Sequence, residues 1–220
     1  MSIDRRKLRW NGWGWVDAPD MLGDKADAVW AWVARTVGVD PLPSTPAKPL
    51  AEIALPASHL DPGIVTRLRD LLAADRVMTD DYERAFHSRG KGYHDLLHVR
   101  AGRIETAPDA VLYPASADEV LAIVELAARQ NIAVIPFGGG SSVVGGVTPV
   151  TGAGSKTVVT VDMTLMDQII DIDETSLVAN VQAGVYGPQL EDALQAKGFT
   201  LGHYPQSFEF STLGGWIAPR

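Results

Sequence analysis

The sequence predicts an α+β protein in which a helical N-terminal extension precedes a small parallel βαβ unit and the start of an antiparallel sheet. Three observations lead to this fold class. Apolar residues recur at helical spacing before residue 104, a strand, a helix and a second strand follow one another between residues 110 and 135, and short strand patterns follow residue 157. A chain of 220 residues, 46% of them hydrophobic, is long enough to bury such a core.

The N-terminal extension is predicted to contain three helices and a proline-rich segment. The first helix covers 24–37, with an aspartate at its start and Gly38 at its end. Residues 40–62 contain six prolines and little periodicity, which is typical of an extended surface segment. Two further helices are predicted over 64–74 and 80–87.

The pattern changes near residue 105, and we place a domain boundary there, with an extension over 1–104 and a second domain over 105–220. A short buried strand is predicted at 110–113. The Ser116 to Glu119 capping box then opens an amphipathic helix that Asn131 can end, and a second buried strand follows at 132–135. This order predicts a βαβ unit with a right-handed crossover and parallel strands.

After the βαβ unit the predicted pattern becomes antiparallel. Strands are predicted over 157–163, 168–171 and 177–182, and an acidic turn joins the last two. A helix over 188–197 follows, and Gly198 ends it.

Composition excludes several classes of function. A net charge of −8 without a cluster of basic residues argues against nucleic acid as a partner. The absence of cysteine excludes disulfides, thiol nucleophiles and thiolate metal sites. The uncharged stretch 132–155 is interrupted by two prolines and many glycines, so we expect strand and loop there rather than a membrane span. The Arg5-Arg6 pair lacks a following apolar run, and a cytoplasmic protein is expected.

The most informative segment is Pro136-Phe137-Gly138-Gly139-Gly140-Ser141-Ser142-Val143, directly after the βαβ unit. Three consecutive glycines allow positive φ angles and let a phosphate approach backbone N–H groups, which together can form an anion nest. A flexible turn between two strands is an equal alternative from the glycines alone. The dinucleotide fingerprint fails because Val143 occupies its third glycine position, and a P-loop fails because Gly146 stands where lysine is required.

Three other features of the sequence are weaker indications of function. His94 and His98 lie four residues apart as in zinc proteases, but Asp95 replaces the required glutamate and no third ligand is evident, so no metal is predicted. No serine-hydrolase elbow of the G-x-S-x-G form is present. The tryptophan cluster over 10–15 is interpreted as a hydrophobic anchor, with direct substrate contact as the alternative.

The glycine loop resembles the P-x-G-G-G-[ST]-S-V phosphate loop of the FAD-binding domain shared by vanillyl-alcohol oxidase and para-cresol methylhydroxylase. Four further strings are similar to the alkyldihydroxyacetonephosphate synthase branch of that family. They are Trp10-Asn11-Gly12-Trp13-Gly14-Trp15, Pro108-Asp109-Ala110-Val111-Leu112-Tyr113-Pro114, Val181-Gln182-Ala183-Gly184, and the segment from Leu201 to Trp216. The resemblance runs from about Lys7 to the last residue.

The resemblance implies two cofactor-binding segments and a bound, non-covalent FAD. The first comprises Gly138, Gly139, Gly140, Ser141, Ser142 and Val143. The second comprises Gln206, Ser207, Phe208, Glu209, Phe210, Ser211, Thr212, Gly214, Gly215 and Arg220. Family members usually carry Asp where Gln206 stands and Thr where Pro219 stands. His203 precedes the second segment, and either a position near the flavin or a histidine satisfied by backbone groups is compatible with the sequence.

The function implied by the resemblance is exchange of an acyl for an alkyl group on dihydroxyacetone phosphate, a step of ether-lipid synthesis. One alternative is an FAD-linked oxidase or dehydrogenase of a 2-hydroxy acid, since the cofactor domain is the same in both. A second is a non-catalytic remnant. The substrate is therefore lipid-like or a small hydroxy acid, and a homodimer and peripheral membrane contact of the full-length protein stay open. We expect a fragment whose catalytic residues lie beyond Arg220, and none is named.

Overall fold

A four-stranded sheet organises the computed structural model, which describes residues 5–44, 46–152 and 154–218. The strands are β1 Val77–Met78, β2 Ala110–Leu112, β3 Ile132–Phe137, β4 Thr157–Asp162, β5 Ile169–Asp173 and β6 Val178–Val181. The helices are α1 Ala26–Val37, α2 Pro62–Leu72, α3 Asp81–Phe86, α4 Tyr93–Arg100, α5 Ala117–Gln130, α6 Gly187–Gln195 and α7 Leu213–Ile217, with short 3₁₀ turns between them. The predicted α+β class is confirmed.

The order of the main sheet is β1-β2-β4-β3, and its three longer strands are parallel. The prediction that 157–163 starts the antiparallel sheet is therefore wrong, because β4 is the strand between β2 and β3. Residues 158–162 of β4 are all buried, as expected of a parallel strand covered on both faces. β2 and β3 run in the same direction, as predicted, but each pairs with β4 rather than with the other.

The helix of the βαβ unit follows its local signals closely. Ser116 caps α5 by accepting a hydrogen bond from the Glu119 N–H at 3.2 Å. Asn131 ends the helix in the left-handed conformation at φ 54°. The Glu119 carboxylate also accepts a bidentate hydrogen bond from Arg76 at 2.6 and 2.7 Å, and this ion pair fixes the start of α5 against the residue preceding β1.

The N-terminal extension contributes directly to the core of the sheet. Strand β1, which the sequence analysis missed because it has only two residues, pairs antiparallel with β2. Helix α2 packs its buried face against α5, and a shared cluster joins both sides of the predicted boundary. Its buried members are Leu68, Leu72, Val77, Ala110, Leu112, Ile123, Leu126, Ala127, Ile132, Val159 and Val161. The boundary near residue 105 stays a prediction.

The predicted antiparallel hairpin is present as β5 and β6. The Asp173 carboxylate stabilises its turn by accepting hydrogen bonds from the Thr175 and Ser176 N–H groups. Helix α6 packs on the hairpin through Leu190 and Leu194, together with Val185, which lies just before the helix. Within the described residues, no helix has both the length and the hydropathy that crossing a membrane requires.

Candidate functional site

The glycine loop lies at the carboxyl edge of the parallel sheet, where open α/β sheets commonly bind ligands. It begins at Gly138, directly after β3, and Asp162 ends the neighbouring strand β4 at the same edge. The start of the loop is held by β3. A ligand bound there could contact the ends of neighbouring strands as well.

The two segments that the resemblance assigns to the cofactor meet here. A Cβ atom built on Gly139 would lie 1.8 Å from the carbonyl oxygen of Phe210, and one on Gly138 would lie 2.1 Å from Thr212 Oγ1. Residues 138–139 and 210–212, more than seventy positions apart, are therefore in close contact, Gly139 with the Phe210 backbone and Gly138 with the Thr212 side chain. The structure brings the two predicted segments together.

Backbone N–H groups of the loop are open to a ligand. Among the described residues, no protein acceptor faces the N–H groups of 139–143. Gly140 is buried and its neighbours Gly139, Ser141 and Ser142 are half-buried. Because buried N–H groups are nearly always hydrogen-bonded, a run of five unpaired donors in a partly enclosed loop is best explained by an anion or by water.

The three glycines of the loop are required for two different structural reasons. Gly140 alone has a positive φ, 71°, which a residue with a side chain adopts only under strain. Gly138 and Gly139 are required instead for the close approach of the second segment. Of the three glycines, one therefore uses the positive φ that the sequence allows, and close contact with the Thr212 side chain and the Phe210 backbone accounts for the other two.

Ser141 and Ser142 play different parts in the loop. The Ser142 hydroxyl oxygen accepts hydrogen bonds from the N–H groups of Val144 and Gly146 and so shapes the turn that follows. No described residue hydrogen-bonds the Ser141 side chain. Val143 is exposed at the end of the loop.

The second segment is held by its own hydroxyl groups. Ser207 precedes a 3₁₀ turn over Phe208–Phe210, and Phe208 stacks on Trp216 with ring centroids 6.1 Å apart. The buried Ser211 Oγ accepts a 2.6 Å hydrogen bond from the Trp216 indole, while Thr212 caps α7 by accepting from the Gly215 N–H. Both hydroxyls keep a proton for donation to a ligand.

The remaining predicted residues are distributed over the rim of this region. Gln206, Glu209 and Gly215 are exposed, and Gly214 is half-buried against Ala183. Arg220 lies outside the described residues, as does Pro219, one of the two departures from the family pattern. His203 packs edge-on against Trp216 with centroids 5.2 Å apart, and among the described residues no backbone group hydrogen-bonds its ring.

The tryptophan-rich segment near the N-terminus covers Phe210 of the second segment. Leu8 bridges to Trp15, and the Arg9 N–H donates to the Gly14 carbonyl, which closes a tight turn. The Trp13 and Trp15 rings lie 6.2 and 6.0 Å from the Phe210 ring. This arrangement matches the predicted hydrophobic anchor.

A buried ionic cluster beneath the loop was missed by the sequence analysis. The Arg5 guanidinium forms an ion pair with Asp162, and His87 Nε2 lies 2.8 Å from the same carboxylate. Burial alone would raise the pKa of Asp162, but Arg5 and the His87 hydrogen bond outweigh it, so the pKa lies below its usual range. A carboxylate at the end of a buried strand was the one available signal.

Lys91 is a second cation close to the loop. Its ammonium donates to the carbonyl oxygens of Arg9 and Trp10 at 3.2 and 3.3 Å and lies over the Phe86 ring. Burial, with a smaller contribution from the nearby Arg5 charge, lowers the pKa of Lys91 to about 8. Among the described residues, His94 and His98 included, no three or more metal-ligating side chains are clustered.

Comparison with known proteins is consistent with this geometry. The model of a family described as an FAD binding domain matches residues 108–220, more than half of the chain. An alkyldihydroxyacetonephosphate synthase from Dictyostelium discoideum is 35% identical over 237 residues, covering 97% of this chain and 38% of the relative. The chain thus spans well under half the length of that relative.

Solved structures show the same similarity in three dimensions. A structure of an alkyldihydroxyacetonephosphate synthase superposes with a TM-score of 0.87 at 33% identity, over 98% of this chain and 42% of the other. A p-cresol methylhydroxylase structure shares the fold over 66% of this chain and 27% of its own, with a TM-score of 0.51 at 21% identity.

Proposed function

Because the chain belongs to the FAD-binding domain family, we propose that its glycine loop binds the diphosphate of FAD and that the segment from Gln206 to Gly215 lines the same cofactor. The run of unpaired N–H groups over 139–143 is the observation that carries the assignment. A run of backbone N–H donors without a protein acceptor, in a partly enclosed loop, suits the oxygen-rich, doubly negative diphosphate better than a neutral group.

The packing of the loop and the charges around it also fit an anionic cofactor. Thr212 and Phe210 pack closely against Gly138 and Gly139, which restricts movement at the start of the loop. No carboxylate of the described residues forms an ion pair with, or accepts a hydrogen bond from, residues 138–143. Donors that are already in place bind an anion without the free-energy cost of reorganising the loop.

For the whole protein, we propose acyl-for-alkyl exchange on dihydroxyacetone phosphate, as in the alkyldihydroxyacetonephosphate synthases that the chain resembles. The flavin would supply the reactive centre when bound. The part played by this chain is to hold the diphosphate through backbone N–H groups and to orient the ring system through the aromatic second segment. Phe208, Phe210 and Trp216 provide apolar surface there.

An FAD-linked oxidase or dehydrogenase of a 2-hydroxy acid is the alternative, and the cofactor site does not separate the two because both would bind FAD in the same way. Non-covalent attachment is part of this proposal, since the family resemblance associates covalent attachment with a histidine after the glycines and this chain has Ser141 and Ser142 there. A homodimer, membrane contact and cytoplasmic localisation remain predictions.

An isosteric pair of variants at Ser141 tests the proposal. Ser141→Asp places a carboxylate beside the loop donors, whereas Ser141→Asn has the same shape without the charge. The purified chain is titrated with FAD, and binding is followed by tryptophan quenching and by co-elution of flavin absorbance in gel filtration. We expect the wild type and Ser141→Asn to retain FAD and Ser141→Asp to bind it at least about tenfold more weakly. Absence of flavin binding by the wild type, or equal binding by both variants, contradicts the assignment.

A further inference from the structure

The two ends of the glycine loop are held by residues of the N-terminal extension. At its start, Arg5 Nη2 donates a 2.9 Å hydrogen bond to the carbonyl oxygen of Gly138. At its end, the backbone N–H of Lys91 donates to the Ser142 carbonyl at 2.8 Å. Both donors lie outside the residues that match the FAD-binding domain family, 108–220. The open N–H groups lie between these two points.

Arg5 is enclosed on all sides. Its side chain is 8% exposed, and its guanidinium lies over the Phe86 and Phe137 rings, 5.3 and 5.2 Å from their centroids. Besides Gly138 it contacts Asp162 and donates to Thr164 Oγ1 at 3.2 Å. Phe137, Gly138 and Asp162 all lie at the carboxyl edge of the sheet, so this guanidinium connects the glycine loop to the ends of β3 and β4.

The hydrogen bond from Arg5 sets the direction of the first loop donor. In a trans peptide the C=O and the following N–H point in opposite directions. With the Gly138 carbonyl directed at the buried guanidinium, the Gly139 N–H must point away from it, out of the core. The charge of Arg5 is balanced by Asp162, so its effect on a ligand is exerted through the orientation of this peptide rather than through its own field.

From these contacts we propose that Arg5 is a positioning residue for the diphosphate site, orienting the Gly138–Gly139 peptide so that the loop N–H groups face the ligand. The proposal rests on the assignment of the loop to FAD. It also makes the extension part of the cofactor site, because the residue that aims the loop comes from outside the matched domain.

Arg84 provides a matched control for Arg5. It is equally buried, at 6% exposure, and its guanidinium donates to the carbonyl oxygens of Pro108 and Pro56 at 2.8 and 2.6 Å. It forms no hydrogen bond with the glycine loop. Arg5→Lys and Arg84→Lys each keep the charge and lose the planar fork that satisfies several acceptors at once. Both variants should lower the melting temperature of the ligand-free chain.

Affinity for FAD and for riboflavin, which lacks the diphosphate, separates positioning from stability. We expect Arg5→Lys to bind FAD about tenfold more weakly than wild type with little change for riboflavin, and Arg84→Lys to bind both as wild type does. The proposal is overturned if Arg5→Lys binds FAD within twofold of wild type, or if Arg84→Lys loses as much affinity.

Hydrogen exchange of the ligand-free chain gives a second, independent test. If Arg5 orders the loop, the amides of 139–143 should exchange faster in Arg5→Lys than in Arg84→Lys, when both are compared below their melting temperatures. Equal exchange in the two variants contradicts the proposal. Should the wild type fail to bind FAD, the assignment of the cofactor is wrong, while this comparison still decides whether Arg5 orders the loop.

Discussion

Replacing Gly139 by alanine should destabilise the chain even when no ligand is present. The added Cβ would lie 1.8 Å from the Phe210 carbonyl oxygen and 2.7 Å from its carbon. Carbon–oxygen contacts of this kind are normally about 3.3–3.6 Å long, so the glycine loop and the second segment must separate by about 1.5 Å. The obstacle is backbone, which cannot rotate away as a side chain can. We therefore expect a loss near the top of the overpacking range, about 2–3 kcal/mol.

Urea unfolding of the ligand-free chain, followed by circular dichroism, measures this loss. Gly146→Ala is the control in the same loop, because its Cβ would meet only Ser142 Oγ, at 3.6 Å. Its stability should be unchanged or raised by up to about 1 kcal/mol. If Gly139→Ala is as stable as Gly146→Ala, the glycine is not required by packing of the two segments, and the explanation of the loop given above is wrong.

Three further predictions concern side chains around the sheet. The pKa of Lys91 in the folded chain is about 8, lower than that of an exposed lysine. Above pH 8 the unfolded state therefore binds more protons than the folded state, and the free energy of unfolding should rise with pH there. Lys91→Met should remove this rise, at most about 2 kcal/mol between pH 8 and about 9.5, in urea unfolding at several pH values; an unchanged slope contradicts the burial of the ammonium. Asp162→Asn leaves the buried Arg5 charge without its counter-ion and should lower the free energy of unfolding at pH 7 by about 3–5 kcal/mol, whereas a loss below about 1 kcal/mol means that the pair is not buried as described. Ser116→Ala removes the cap of α5 and should cost about 1 kcal/mol in the same assay; no loss shows that the cap hydrogen bond is not formed.

Local signals in the sequence were sufficient for much of the fold. Helix α5 could be placed within a residue because its capping serine and its left-handed Asn131 lie at its own ends. The turn between β5 and β6 was likewise predicted by its acidic residues. The position of β4 between β2 and β3 was not predicted. It depends on how the long loop after residue 137 returns the chain to the sheet, and no periodic pattern in the sequence indicates that path.

Part of the candidate site could likewise be predicted from the sequence, and part could not. The glycine loop has a short, distinctive pattern, and the resemblance added the second segment. The contact between Arg5 and Asp162 spans 157 positions, and neither residue belongs to a motif. The resemblance implies a cofactor role for each glycine of the loop, and the structure adds that Gly138 and Gly139 are also required by close packing against Thr212 and Phe210. Such close packing between distant segments is visible only in three dimensions.

Hydrogen exchange of the loop amides with and without FAD is the most direct test of the diphosphate site. If the N–H groups of 139–143 donate to the cofactor, saturating FAD should slow their exchange strongly, and riboflavin, which has no diphosphate, should leave it unchanged. Exchange at these amides that is as fast with FAD as without it would contradict the proposed site, even if the flavin were bound elsewhere on the chain.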